Sequence, residues 1–147
     1  MSLKDPNMKM SKSHADTRSR IRINDSTYDI ATKVRLAVTD SLAGVTYQPE
    51  ERPGVSNLLA IMSYLDDPGR SCEELADLHH EKSMRKFKDE VIRTTDRALA
   101  GIRERYNHLL GDAQGGYLDE VAREGAVKAK RIAENTMSTV RRVVGLT

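Results

Sequence analysis

Apolar residues recur at three- and four-residue intervals from Ser83 to about residue 109, and this spacing limits most strongly what the chain can fold into. The residues of the stripe are Phe87, Val91, Ala98, Ile102, Tyr106 and Leu109. On an α-helix this spacing places all of them on one face. About 27 helical residues would extend roughly 40 Å. We therefore expect one long spine helix within an all-helical domain.

Shorter stripes of the same period predict helices before the spine. Ser26 and Asp29 have the spacing of a capping box, and the helix they begin is expected to end near Thr39 or Asp40. A second helix should follow Pro53-Gly54, with Ser56 or Asn57 as a local cap. The same capping spacing recurs at Ser71 and Glu74 and predicts a third, short helix.

Glycines are expected to end the spine helix and to separate it from the C-terminal part of the chain. Gly111 and Gly115-Gly116 should break it, after which the apolar spacing predicts a short helix near 118–122. A last helix should cover about 129–143 and stop at Gly145. The expected fold is all-α, with five or six helices in a bundle-like domain.

Residues 1–24 differ from the rest because they are basic and almost without apolar periodicity. They predict an extended leader in front of a helical domain at 25–147. Within the leader, "SRIRIN" alternates Ile21 and Ile23 with Arg20 and Arg22, which is typical of a short, half-buried strand.

Composition narrows the classes of protein. Aromatic residues make up only 4% of the chain, which favours helices packed on helices over a β-sandwich. Cys72 is the single cysteine, so an intramolecular disulfide is impossible and a reducing compartment is expected. The longest apolar run, Leu58 to Met62, is far shorter than the ~20 residues of a membrane span. A net charge of +2 permits an anionic partner without requiring one.

Several well-known binding and catalytic motifs are absent from the sequence. It has no GxxxxGK[ST] phosphate loop, no GxGxxG turn and no HExxH helix. His79 and His80 are adjacent, and adjacent side chains on a helix point in different directions. We therefore expect no metal site.

The stretch "KMSKS" at Lys9, Met10, Ser11, Lys12 and Ser13 is the strongest candidate for a binding site. Two ammonium groups three residues apart, with hydroxyl groups between them, can hold phosphate oxygens in a mobile loop. Composition alone favours a disordered basic tail at the same place.

Four stretches in order carry a resemblance to a known family: "MSLKDPNMKMSKS", "AVTDS", "RPGVSNLL" and "GRSCEEL". Three later stretches, "FKDEV", "IRERYNHLL" and "EGAVKAKRIAENTM", are similar in kind, so the resemblance covers the whole chain. The sequence resembles the class I aminoacyl-tRNA synthetases, in particular the C-terminal part of the tryptophan-specific ones. The combination of "VTDS" and "GVSNLL" separates it from the tyrosine-specific enzymes.

The resemblance implies an enzyme that joins tryptophan to tRNA(Trp) with ATP as a substrate. It implies that residues 9–13 line the ATP phosphates, with Lys12 as the principal catalytic residue and Lys9 in support, and that Mg²⁺ arrives on ATP rather than on the protein. The helical domain would bind tRNA, and the full-length enzyme would be a homodimer. Position 14 is His where many relatives have Asp, which bears on packing of the loop.

The family's nucleotide-binding fold and HIGH-like motif would precede Met1, so we expect a fragment that is inactive alone. Lys12, within "KMSKS" rather than "KMSAS", favours a bacterial or mitochondrial type. The small excess of basic over acidic residues favours the mitochondrial matrix over the bacterial cytoplasm as the location. Without its partner domain, the leader before about Arg20 is expected to be mobile, or held by contacts unrelated to catalysis.

Two alternatives remain open from the residues themselves. One is a free-standing helical RNA-binding module, with the cations of the spine helix facing phosphates. The other is a structural helical domain whose contacts are with a partner domain.

Overall fold

The computed structural model describes residues 1–111 and 116–146. Those residues contain five α-helices and no strand. The helices are α1 (Thr27–Arg35), α2 (Pro53–Leu65), α3 (Cys72–His79), α4 (Met84–Gly111) and α5 (Tyr117–Val143), and a 3-10 helix covers Thr17–Ser19. The all-α fold with a long spine helix is confirmed. None of the helices described is long and apolar enough to cross a membrane.

The chain divides into two compact units, Met1–Glu104 and Arg105–Thr147. The first unit holds the hydrophobic core, in which Phe87 and Leu3 are the largest fully or almost fully buried side chains. The other core residues are Ile30, Val34, Ala37, Val45, Val55, Leu58, Leu59, Met62, Leu75, Ala76, Val91 and Ile92. Because Leu3 is one of them, the start of the leader is packed into the core. The functional division at residue 24 stays a prediction.

In the second unit, the two helices predicted after the glycines are a single helix, α5. Gly125 lies inside it, since one glycine costs a helix only about 1 kcal/mol relative to alanine and does not interrupt the hydrogen bonds. Gly111 is still helical, and Gly116 precedes α5 with φ of +66°. The predicted break at Gly115 lies outside the described residues.

The strand predicted within "SRIRIN" is wrong. The Asp25 carboxylate accepts the Arg22 backbone N–H at 2.7 Å, and the Asp25 N–H donates to the Arg22 carbonyl at 3.1 Å. This β-turn, which the Asp25 side chain closes from its last position, satisfies the backbone locally, so the segment forms a turn in place of an extended strand.

Helix α1 ends earlier than predicted, at Arg35 instead of Thr39 or Asp40. The Val38 N–H donates to the Leu3 carbonyl at 2.9 Å, which takes this residue out of the helical pattern and pairs it with the leader. At the other end, the Ser26–Asp29 capping box is present, as is the Ser71–Glu74 box that begins α3.

Arg52 organises the long connection between α1 and α2. Its side chain is only 2% exposed and forms a forked pair with both oxygens of Asp40, at 2.8 and 3.0 Å. It also donates to the Thr46 hydroxyl and to the carbonyls of Leu42 and Gly44. These hydrogen bonds from Arg52 hold the pKa of Asp40 below its ordinary value. One guanidinium therefore joins "AVTDS" to "RPGVSNLL".

Close contact explains the glycine at the start of α2. A Cβ at Gly54 would collide with the carbonyl oxygen of Val38 and press on the Cα of Thr39. Since all of these neighbouring atoms are backbone, they cannot move aside as a flexible side chain would.

Gly54→Ala should lower the free energy of unfolding by about 2–3 kcal/mol, because overpacking against backbone forces a shift of the helix. Gly101→Ala is the matched control: Gly101 lies in the middle of α4 with open space around its Cα, so alanine should stabilise the helix by up to about 1 kcal/mol. Urea denaturation measures both. Equal effects of the two substitutions would contradict the steric account.

Arg52→Lys should lower the free energy of unfolding by at least about 2 kcal/mol, because an ammonium at this buried position keeps the charge but loses the fork and the donors to the Leu42 and Gly44 carbonyls. Arg35→Lys is its control, since Arg35 is exposed and lies 3.4 Å from Asp89; the expected change is below about 0.5 kcal/mol. Thermal unfolding distinguishes them, and a tolerated Arg52→Lys would show that the fork is dispensable.

His79 is a buried histidine of α3, 4% exposed, whose two ring nitrogens have no hydrogen-bond partner among the described residues. Its ring lies 5.9 Å from that of Phe87, centroid to centroid. Burial lowers the pKa of His79; the nearby cations Lys82 and Arg70 lower it further, and Glu90 opposes them. His79 is therefore held neutral in the folded chain.

A lowered folded-state pKa means that the unfolded chain binds the proton more tightly. The stability that neutral His79 contributes is complete above the ordinary pKa near 6.5 and is lost as the pH falls below it. As the pH falls from 6.5 to 5.5, unfolding should become easier by up to about 1.4 kcal/mol. His79→Leu should flatten this dependence; an unchanged slope in His79→Leu would contradict the assignment.

Candidate phosphate-binding loop

The segment before the motif is fastened to α2 and to the end of α1. Asn57 of α2 donates from its amide to the carbonyls of Met1 and Ser2, both at 3.2 Å. The Leu3 N–H donates to the Ser19 carbonyl at 2.9 Å, and the Leu3 carbonyl accepts from Val38. Residues 1–3 are thereby held between three separate parts of the first unit.

Residues 2–8 form a closed turn that leads into the motif. The Ser2 N–H donates to the Met8 carbonyl at 2.7 Å, and the Met8 N–H donates to the Asp5 carbonyl at 3.0 Å. The Ser2 hydroxyl accepts from the backbone of Lys4 at 3.2 Å. This turn therefore fixes the position of the chain where the motif begins, at Lys9.

Within the motif, the side chains divide between an anchor and exposed polar groups. Met10 is half-buried and packs against the hydrophobic core. The hydroxyls of Ser11 and Ser13 lie 2.9 Å apart, while Lys9 and Lys12 lie at the surface. Neither lysine takes part in an ion pair among the residues described. Both ammonium groups are thus available to an anion.

Asp16 lies just after the motif, and its charge is already engaged. It caps the 3-10 helix by accepting the Arg18 N–H, and its two oxygens accept from the Arg18 guanidinium at 2.9 and 3.0 Å. These bonds from Arg18 lower the pKa of Asp16 to about 2. Lys4 lies 4.0 Å from the same carboxylate. Asp16 therefore pairs with Arg18 and Lys4 rather than with the motif lysines.

A groove of about 590 Å³ opens beside the motif. Among the described residues, its lining includes three cations and no carboxylate. The residues that line it are Met10, Ser11, Lys12, Arg20, Ile21, Arg22, Ile23 and Asn24. A groove with this balance of charge attracts anions.

A larger groove of about 700 Å³ lies against α4 in the same unit, but its charges compensate one another. Arg70 pairs with Asp66 at 2.7 Å, and Arg93 pairs with Glu90 at 2.8 Å, all four residues being part of its lining. The smaller groove is therefore the better candidate for an anion.

The structure brings Met10, Ser11 and Lys12 together on the groove. Lys9 and Ser13 belong to the same loop but do not line the groove. Arg20 and Arg22 line it as well and were missed as site residues, since their alternation with isoleucines indicated a strand. Their closeness in sequence to the motif was the available signal.

Two polar residues of "GVSNLL" act over a longer range than predicted. Ser56 or Asn57 was expected to cap α2 locally, whereas the N-cap position is Arg52, without a capping side chain. The Ser56 hydroxyl accepts the Gln48 N–H at 3.0 Å, and Asn57 holds the leader. This stretch thus connects α2 to its surroundings. Among the residues described, no group of three or more His, Cys, Asp or Glu could hold a metal ion.

The model of the family described as "tRNA synthetases class I (W and Y)" matches residues 1–100 of the chain. The chain belongs to this family of class I tRNA synthetases. The expected resemblance is thereby confirmed at the level of the family.

Within the family, the similarity is to enzymes named for tryptophan. The tryptophan–tRNA ligase of Bacillus anthracis is 36% identical over 146 residues, and that of Halalkalibacterium halodurans is 38% identical over 146 residues. Both alignments cover 99% of this chain and 43% of the relative, so the chain spans less than half the length of these proteins. The crystal structure of tryptophanyl-tRNA synthetase from Mycoplasma pneumoniae aligns with a TM-score of 0.64 at 28% identity, covering 74% of this chain and 34% of that one.

Proposed function

We propose that this chain supplies the ATP-phosphate loop and the tRNA-binding helical part of a tryptophan–tRNA ligase. The observation that carries the proposal is the Lys9–Ser13 loop. It presents two ammonium groups that pair with no carboxylate of the described residues, and the segments on either side of it are packed into the fold. The bacterial relatives named tryptophan–tRNA ligase support the choice of amino acid.

In the proposed reaction, the carboxylate of tryptophan attacks the α-phosphate of ATP, a new O–P bond forms, and the bond to the β-phosphate breaks to release pyrophosphate. Negative charge moves toward the leaving pyrophosphate. The Lys12 ammonium opposes that charge and stabilises the transition state, with Lys9 in support. The tryptophanyl group then passes from the adenylate to a terminal ribose hydroxyl of tRNA(Trp), and AMP leaves.

We also propose three properties of this family for the complete ligase. Mg²⁺ would enter bound to ATP. The complete ligase would be a homodimer and would work in the mitochondrial matrix or the bacterial cytoplasm. The 147-residue chain alone is proposed to be inactive, so it should show no tryptophan-dependent exchange of pyrophosphate into ATP.

In the full-length ligase, Lys12→Ala should slow tryptophan activation by about 10²–10³-fold while leaving tryptophan affinity nearly unchanged, because the contact acts on charge that develops in the transition state. Lys4→Ala is the matched control: it removes the same charge from the same leader, but from a lysine that faces Asp16. Pyrophosphate exchange and tryptophan titration measure the two quantities. An unchanged activation rate in Lys12→Ala would remove Lys12 from the mechanism.

A further inference from the structure

Arg20 carries a buried charge that the described part of the protein does not compensate. Its side chain is 6% exposed, and no ion pair among the described residues includes it. Its Nη1 donates to the His14 carbonyl at 3.0 Å, while its Nε is buried without an acceptor. Arginine stays protonated in proteins, so burial does not relieve the charge by deprotonation. Buried cations of this kind are normally paired.

Nearby carboxylates do not serve as the counter-charge. Asp16 is occupied by Arg18 on both oxygens. Asp25 pairs with Lys33 at 2.5 Å and also accepts the Arg22 N–H. The described lining of the groove holds Lys12 and two arginines and contains no carboxylate. The described residues therefore leave the charge of Arg20 without a carboxylate partner.

The geometry of Arg20 favours a phosphate as its partner. Nη1 is the nitrogen that holds His14, which leaves the edge formed by Nε and Nη2 without a partner among the described residues. This edge presents two parallel N–H donors and matches two oxygens of one phosphate. Because Nε is buried, a phosphate can reach both donors only if the loop shifts. The His14 carbonyl, which accepts from Nη1, links such a shift of the loop to Arg20.

We propose that Arg20 is a second phosphate ligand of this groove, which holds a polyphosphate group between its guanidinium edge and the Lys12 ammonium. The inference rests on the proposed function and extends it, because it assigns the pyrophosphate portion of the nucleotide to a residue outside the motif. Through its bond to His14, Arg20 also positions the end of the loop.

Titration calorimetry of the 147-residue chain with inorganic pyrophosphate at low salt tests the proposal. Arg20→Gln, which removes both charge and fork, should weaken pyrophosphate binding about ten- to a hundredfold, as loss of a charged hydrogen-bonded contact does. Arg20→Lys keeps the charge without the fork and should weaken it by a smaller factor. Arg18→Gln, two residues away on an arginine already paired with Asp16, should change the affinity by less than about twofold.

The outcomes separate this inference from the proposed function. If Lys12→Ala weakens pyrophosphate binding and Arg20→Gln does not, the Arg20 ligand is overturned while the role of the loop stands. If the unaltered chain does not bind pyrophosphate, the Arg20 ligand is overturned, while the role of the loop is decided separately by tryptophan activation in the full-length Lys12→Ala ligase. Weakening of single-stranded RNA binding alone would assign Arg20 to RNA and overturn the inference. Should circular dichroism show that Arg20→Gln fails to fold, Arg20→Lys decides, and an unchanged affinity there excludes the forked contact.

Discussion

The forked pair between Arg52 and Asp40 is the interaction on which the rest of the first compact unit depends. It places a nearly fully buried guanidinium at the start of α2 and joins it to the connection between α1 and α2. Five donations from a single side chain satisfy two backbone carbonyls, a hydroxyl and a carboxylate at once. With that connection fixed, Gly54 can approach the end of α1 at backbone contact distance, and Asn57 can reach the leader.

The leader is consequently part of the fold, although its composition is that of a tail. Leu3 is buried in the core, and the segment after the motif is fixed by the 3-10 helix and by Ser19. Between these anchors, Lys9 and Lys12 stay at the surface and unpaired within the described residues. The apolar and backbone contacts therefore determine where the loop lies, and the two charges remain for an anion. This division of roles agrees with a loop whose chemistry depends on position.

Local patterns predicted local structure well. The apolar spacing predicted the spine helix, and the two capping boxes marked the starts of α1 and α3 correctly. The predictions failed where a hydrogen-bond partner that is distant in sequence, or one that competes with the expected partner, determines the local structure. Asn57 was interpreted as a cap because its partners lie 55 and 56 residues away in sequence. "SRIRIN" was interpreted as a strand because the turn made by Asp25 has no periodic signature. The motif itself was visible in the sequence, whereas the burial of Arg20 beside it was not.

Residues 1–3 of the leader are held as firmly as the core, whereas Lys9 and Lys12 of the motif lie at the surface on either side of the half-buried Met10. Amide hydrogen exchange of the unaltered chain, followed by NMR, tests this most directly. The Leu3 and Val38 amides should be protected nearly as strongly as those of buried α2 residues, because their hydrogen bonds break only when the unit opens. The Lys9 and Lys12 amides should exchange orders of magnitude faster. Exchange of Leu3 and Val38 as fast as that of Lys12 would contradict the account and return the leader to a mobile tail.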